Sequence, residues 1–196
     1  METVKTMRDK YAENTRQALL DTGRRLFVER DYAKLSAEEL VRAAGLTRGA
    51  LYHHFDGKRG LFEAVFDELE SQAAQRIRAA TAAGSDPLEQ AERGIEEFLD
   101  VCTDPDYRKI VLINGPIALG WQRWRELDRQ HLGGLVVDAA RTLLADELIK
   151  PYPAELLASA LYGALTELSL TLTEVEGGRP QAADLMRDLL GGLTAR

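Results

Sequence analysis

The sequence predicts an all-α protein of about nine helices. Three observations carry that prediction. Apolar residues recur every three or four positions through nearly every segment; no segment alternates apolar and polar residues as a half-buried strand would; and Gly, Pro and Asp-rich breaks punctuate the chain at helix-length intervals. The chain has 196 residues, 45% apolar and 29% charged, ordinary proportions for a globular protein. A chain of that length buries roughly 70% of the surface that it exposes when unfolded.

The elements follow in order. Leu19, Leu20, Gly23, Leu26 and Phe27 share one face of a first helix, with Arg16, Arg24, Arg25 and Glu29 on the other, over roughly residues 10–30. Ser36 with Glu39 three positions on is a capping box, so a second helix starts there, its apolar face made by Leu40, Val41 and Ala44. Gly45 closes it in a tight turn, and Thr47 caps a third, short helix to about Phe55. Asp56-Gly57 turns the chain into a longer fourth helix from Lys58 to about Ala82, with Leu61, Phe62, Val65, Phe66 and Leu69 inward. After the Gly84–Pro87 break, a helix from Pro87 to Cys102 buries Ile95, Phe98 and Leu99. A short helix is expected from Asp104-Pro105-Asp106 to a stop at Asn114-Gly115-Pro116, and then one long helical stretch from Ile117 to Ile149, bent at Gly133-Gly134. Pro151-Tyr152-Pro153 breaks that stretch. A strongly apolar helix over about 153–175, a turn at 176–180 and a last helix carrying Leu185, Met186, Leu189 and Leu190 complete the chain.

Several function classes drop out. A single Cys makes no internal disulfide, which fits a reducing compartment. Met1–Lys5 is polar with no apolar stretch behind it, and the longest apolar run, Ile110 to Trp121, is broken by Asn114, Gly115, Pro116 and Gly120. A soluble cytoplasmic protein is expected. There is no phosphate-binding loop, no nucleophile elbow and no dinucleotide fingerprint. His53 and His54 are adjacent and diverge by about 100° on a helix, and His131 stands alone, so no metal site is expected. Cys102 lies near an Asp-rich turn that would raise its thiol pKa, the setting of a structural rather than a redox cysteine. Glu96 with Glu97, and Asp104 with Asp106, read as a solvated face and a cap rather than a catalytic pair. No enzyme and no cofactor are expected.

The charge is unevenly placed. Residues 1–60 carry 12 Lys and Arg against 9 Asp and Glu, and residues 61–196 carry 13 against 23, which together give the overall −7. A mildly basic head and an acidic body fit contact with phosphate at one end only. Within that head, residues 36–55 have the layout of a helix-turn-helix, whose second helix enters the major groove N-terminal residues first. Leu51 and Phe55, four apart, face inward, which leaves Thr47, Arg48, Tyr52 and His53 outward. Gly49 and Ala50 are small enough for close backbone approach to DNA. Arg48 offers a fork of donors to guanine or phosphate, the hydroxyls of Thr47 and Tyr52 can donate to phosphates, and Lys58 adds a cation. A helical protein-interaction adaptor without DNA readout is the alternative, but it has no need of Arg48, Tyr52 and His53.

The string from Leu35 to Phe55, with its Ala-Ala-Gly-Leu-Thr turn, its Leu-Tyr-x-x-Phe helix and Lys58 three residues on, closely resembles the DNA-binding domain of the TetR family of bacterial transcriptional repressors over about residues 10–62. The resemblance implies a DNA-binding head at 1–57 and a helical ligand-binding and dimerisation domain at 58–196. It implies a homodimer that binds a palindromic operator and is released by a small ligand. By position it implies operator contacts at Ser36, Thr47, Arg48, Tyr52, His53, His54 and Lys58, with Gly49 beside them. Asp31 departs from the family's usual Gly at that place; Asp tolerates left-handed backbone, so no change of fold is expected. The family wraps its middle helices around a cavity, which makes Phe98, Cys102, Tyr107, Ile110, Val111, Asn114, Trp121 and Trp124 the ligand-lining candidates; the acidic body and two Trp point to an apolar or cationic effector. Leu157, Leu161, Leu165, Leu168 and Leu172, with Leu185, Met186 and Leu189, are expected to pair across a two-fold axis as a four-helix bundle.

Overall fold

The structure, a computed structural model, describes residues 7–172 and 174–195. The polar N-terminal stretch Met1–Lys5 read above lies outside the described residues. Among those described, nine helices run in order, as predicted. They are α1 (Met7–Glu29), α2 (Ala37–Ala43), α3 (Arg48–His54), α4 (Gly57–Ala82), α5 (Pro87–Thr103), α6 (105–119), α7 (121–145), α8 (Ala154–Thr171) and α9 (Gly178–Leu193). Tyr32–Lys34 adds a single 3₁₀ turn. No strand occurs among the described residues; one isolated antiparallel bridge pairs Ile149 with Thr194.

Two of the nine helices depart from the predicted boundaries. The stop expected at Asn114-Gly115-Pro116 does not occur. A π-helical segment, Arg108–Asn114, precedes Gly115–Leu119 and carries α6 through the proline. A proline lacks the N–H of a helix interior and its ring collides with a carbonyl one turn back; the wider turn ahead of it puts Pro116 in the first turn of a new α segment, where no donor is needed. The true break is Gly120, at φ +83°, which ends α6 and separates it from α7. At the bend expected near Gly133-Gly134 a second π-helical segment, Arg129–Gly133, interrupts α7.

The chain forms two compact units. The first takes in the residues up to Glu68 together with Lys109–Trp124. Its core holds Leu19, Leu20, Phe27, Leu40, Leu51, Phe55, Leu61, Phe62 and Phe66, joined by Ile110, Val111 and Trp124 from the later segment. Phe62 stacks edge-on against both Phe27 and Tyr32 with centroids 5.0 Å apart. Gly23 lets α1 and α4 approach closely, since a Cβ there would lie 3.1 Å from Leu61. The later segment is also tied by polar contacts: Asn114, buried, donates from Nδ2 to the Phe27 carbonyl at 3.2 Å, and Trp124 Nε1 donates to the Val111 carbonyl at 2.9 Å. Lys109 pairs with Asp31 at 3.1 Å.

The second unit comprises Leu69–Arg108 and the described residues from Arg125 to Ala195. Ala140, Leu143, Ile149, Leu157, Ala158 and Leu190 form one buried cluster in it. Phe98, Leu99, Tyr162, Leu165 and Met186 are buried in it as well. The last residues are held by Lys150 N to Leu193 O and Ala195 N to Leu148 O.

Candidate nucleic-acid interface and ligand cavity

The geometry of α2 and α3 follows from their caps. Ser36 Oγ accepts from Glu39 N, while the Glu39 carboxylate accepts from both Ser36 N and Ser36 Oγ, so the capping box read from the sequence is formed. Arg30 adds a bond to the other Glu39 oxygen at 2.8 Å. These donors, the Ser36 backbone N–H foremost, hold the Glu39 carboxyl down at about 2. Gly45, at φ +67°, makes the turn. Thr47 Oγ1 then accepts from Ala50 N and starts α3. Leu51 and Phe55 point into the core, which fixes the opposite face outward.

That outward face carries Thr47, Arg48, Gly49, Tyr52 and His53, all exposed. The Arg48 guanidinium lies 5.4 Å over the Tyr52 ring and pairs with Glu38 of α2 at 2.8 Å. The Tyr52 ring in turn covers Gly57, where a Cβ would come within 3.2 Å of it; Gly57 has φ +69°. His54 is half-buried beside His53, and burial, with the neighbouring His53 and Arg16, lowers its pKa below the ordinary histidine value. Ser36 is half-buried and its hydroxyl is engaged in the cap.

Lys58 is placed differently from the expectation of a phosphate ligand. Its ammonium turns inward, donating to the carbonyls of Tyr32 at 2.9 Å and Leu35 at 2.7 Å, with Nζ 4.0 Å over the Tyr32 ring. The Tyr32 carbonyl also accepts from the Leu35 N–H at 3.3 Å, which closes the 3₁₀ turn, so the cation at the start of α4 is a second donor to Tyr32 and a charged donor to Leu35. Asp31 also behaves differently from the reason given for it. Its backbone is extended, at φ −63° and ψ 131°, so no left-handed conformation is involved. Its carboxylate pairs with Lys34 and Lys109, and those two cations hold its pKa below the usual range.

A cavity of about 330 Å³ opens in the second unit. Ile77 and Thr81 of α4, Gly94, Ile95 and Phe98 of α5, Leu132, Val136 and Leu143 of α7, and Leu161, Tyr162 and Leu165 of α8 wall it. Arg78, Gln90, Asp138 and Thr142 add polar side chains to those of Thr81 and Tyr162. Of the eight lining candidates named from the sequence, Phe98 is on this wall. Cys102 and Tyr107 belong to the same unit but are packed away from it, with Tyr107 Oη donating to Glu70 at 3.0 Å. Burial, more than any neighbouring carboxylate, pushes the Cys102 thiol far up. Ile110, Val111, Asn114 and Trp124 lie in the core of the first unit, and Trp121 is exposed. The wall residues on α4 and α7 escaped the sequence reading because they look like any helical core stripe. One signal was available: Gly94 in mid-helix, where a Cβ would sit 2.9 Å from Thr81 Oγ1, marks a close approach of α5 to α4.

The residues expected to pair across a two-fold axis divide: Leu157, Leu165, Leu172 and Met186 are buried within the chain's own core, Leu161 and Leu168 are half-buried, and Leu185 and Leu189 are exposed. The helix faces left outward carry Leu156 and Ala160 on α8 and Leu185 and Leu189 on α9. A helix hydrophobic on most of its circumference has two apolar faces, and sequence spacing alone does not say which one the protomer uses.

Among the described residues no helix is long and apolar enough to cross a membrane, and no cluster of three or more His, Cys, Asp or Glu could hold a metal. A capped helix-turn-helix whose second helix presents an exposed polar and basic face, at the head of an all-helical chain, defines a DNA-binding transcriptional regulator. Comparison with known proteins narrows the class. Residues 19–65 match the bacterial regulatory proteins of the tetR family, and residues 88–193 match the tetracyclin repressor-like C-terminal domain. The chain belongs to the TetR family of transcriptional regulators. It is 30% identical to a TetR-family transcriptional regulator from Pectobacterium atrosepticum, whose crystal structure superposes with a TM-score of 0.81 over 98% of this chain and 99% of that one. It is 26% identical over 160 residues to the transposon Tn10 TetC protein of Escherichia coli, covering 81% of this chain and 80% of that protein. It is 28% identical over 169 residues to the HTH-type transcriptional repressor BepR of Brucella suis biovar 1, covering 80% and 81%.

Proposed function

We propose that the protein is a dimeric repressor. In this reading a head of residues 1–57 reads a two-fold symmetric operator, and a body of residues 58–196 dimerises and takes up a small-molecule effector that releases the DNA. The exposed Thr47-Arg48-Gly49-Tyr52-His53 face of α3 carries the reading. With Leu51 and Phe55 locked inward, that face is free to enter a major groove, with Arg48 at its N-terminal end. The outward Leu156, Ala160, Leu185 and Leu189 support self-association through α8 and α9 of each copy. Two recognition helices about 34–36 Å apart would then meet successive major grooves. The cavity of about 330 Å³, whose wall is mostly aliphatic and aromatic with Arg78, Thr81, Gln90, Asp138 and Thr142 among its residues, suits a small, largely apolar effector. An effector that favours one arrangement of the two heads over another changes operator affinity, and DNA changes effector affinity by the same factor. Such a regulator acts on chromosomal DNA in the cytoplasm.

The test is selection from a random duplex library by the purified protein. A repressor of this kind enriches one two-fold symmetric sequence, and Arg48→Ala loses it. If no sequence is enriched and only protein partners are found, the adaptor reading replaces this one.

A further inference from the structure

The polar side chains on the cavity wall divide by depth. Arg78, Asp138 and Thr142 are exposed and Thr81 and Gln90 half-buried, whereas Tyr162 of α8 is 5% exposed. Its ring is held edge-on to Phe98, with centroids 6.5 Å apart, and lies 5.8 Å from the Arg125 guanidinium. The Tyr162 hydroxyl is buried and makes no hydrogen bond with any described group. Asp128 Oδ2 likewise accepts none, although Arg125 faces it at 3.5 Å. Asp128 is 4% exposed, sits on α7 just ahead of its π-helical segment and is not on the cavity wall. The phenol and the carboxylate are neighbours. Burial first, and then the Asp128 charge, push the Tyr162 phenol far up, and the phenol in turn opposes the rise that burial causes at Asp128.

We propose that the Tyr162 oxygen is a hydrogen-bond acceptor at the deep end of the effector site, and that the effector is an apolar molecule carrying a hydrogen-bond donor, of which a phenol is the simplest case. This rests on the cavity being the effector site. A hydroxyl has a single hydrogen, which rotates to the strongest acceptor within reach. Beside a buried carboxylate that hydrogen turns toward the carboxylate, and the lone pairs of the phenol oxygen are left for a partner on the cavity side. The same polarisation makes the oxygen a better acceptor. A buried polar atom without a partner carries a desolvation penalty. A ligand that brings a donor to it recovers that penalty, and a ligand of the same shape without one leaves it in place. The apolar wall thus selects for a ring or chain, and Tyr162 for the group at its inner end.

The experiment titrates the full chain by calorimetry with naphthol, methoxynaphthalene and methylnaphthalene, substituted at the same ring carbon. The three share a ring system that a cavity of about 330 Å³ admits. The first brings a donor and an acceptor, the second an acceptor alone and the third neither. The parent is compared with Tyr162→Phe, which removes the oxygen and keeps the ring. In the parent, naphthol should bind more tightly than methoxynaphthalene. Tyr162→Phe should lower the ratio of the two affinities about 2- to 10-fold while methoxynaphthalene and methylnaphthalene keep their relative order. A change in packing alone would move all three probes together. Three outcomes overturn the proposal. A naphthol advantage that is the same in both proteins shows that the hydroxyl is not read, as when a buried water satisfies it. A loss in Tyr162→Phe shared by naphthol and methoxynaphthalene, but not by methylnaphthalene, makes Tyr162 a donor instead. A uniform loss of all three makes it a packing residue. If the parent binds none of the probes, the cavity fails as an effector site and the proposal falls with it; failure in the comparison of probes alone leaves the effector site standing.

Discussion

Replacing Lys58 by Met separates two roles that the sequence runs together. The methionine keeps most of the aliphatic stem and removes the ammonium. The structure assigns that ammonium two inward hydrogen bonds, to the carbonyls of Tyr32 and Leu35, and a position over the Tyr32 ring. Hydrogen bonds from a charged donor contribute about 1.5–3 kcal/mol each when buried, and a cation over an aromatic ring about 0.5–1 kcal/mol at an exposed site. Lys58 is only half-buried, which discounts the hydrogen bonds, so the loss should be about 2–4 kcal/mol. For a chain of this length that lowers Tm by roughly 5–15 °C, read by circular dichroism at a helix wavelength. The second readout is the salt dependence of operator binding. A phosphate ligand contributes about 0.9 to the slope of log affinity against log salt, or about 1.8 for a two-fold dimer. The structure predicts a lowered Tm with the slope unchanged. A slope that falls by about 1.8 with Tm held within 2 °C or so of the parent would refute the reasoning and return Lys58 to the DNA surface.

Three further outcomes are expected. Arg48→Ala should weaken operator binding by about 1–3 kcal/mol and relax preference at one position per half-site, measured by competition among single-base operator variants; equal binding to all variants by both proteins would show that another residue reads that base. Leu185→Arg with Leu189→Arg should leave the fold intact and shift sedimentation from dimer to monomer, with operator affinity lost in parallel, whereas Leu165→Arg, a change inside the protomer core, should prevent folding; a double variant that remains dimeric places the interface elsewhere. Because the folded protein lowers the pKa of His54 from 6.5, the unfolded chain binds its proton more readily, and the stability tied to the neutral ring is complete above about pH 6.5 and declines as pH falls through that value. The Tm difference between parent and His54→Gln should therefore move in favour of the variant between pH 8 and pH 5.5, and a flat difference counts against the burial of that ring.

The parts of the fold that follow from short-range rules were legible. The capping box at Ser36 and Glu39, the Gly45 turn and the inward pair Leu51 and Phe55 depend on residues at most four apart, where helix geometry alone decides. The helix-turn-helix face was readable for the same reason. What stayed hidden depends on contacts across the fold. Pro116 reads as a stop, and only the π-helical segment ahead of it, which no residue type signals, lets α6 continue. The inward turn of Lys58 needs carbonyls 23 and 26 residues away. The cavity wall and the outward strips of α8 and α9 are chemically the same as core, so burial, not residue type, tells them apart.

The two tryptophans give the molecule an optical property that bears on how the proposed effector response can be measured. Trp124 is buried with its indole N–H bonded to the Val111 carbonyl, while Trp121, 4.9 Å from it between ring centroids, is exposed. Both belong to the compact unit that holds the helix-turn-helix, and neither is on the wall of the cavity. The emission of this chain should therefore divide into a blue component sheltered from acrylamide and a red component open to it. An effector entering the cavity touches neither indole. A spectral change on titration would then report a rearrangement in the DNA-reading unit rather than occupancy of the cavity, and a calorimetric isotherm without any such change would identify a molecule that binds but does not signal. The intrinsic fluorophores thus sort inducers from silent ligands without a label.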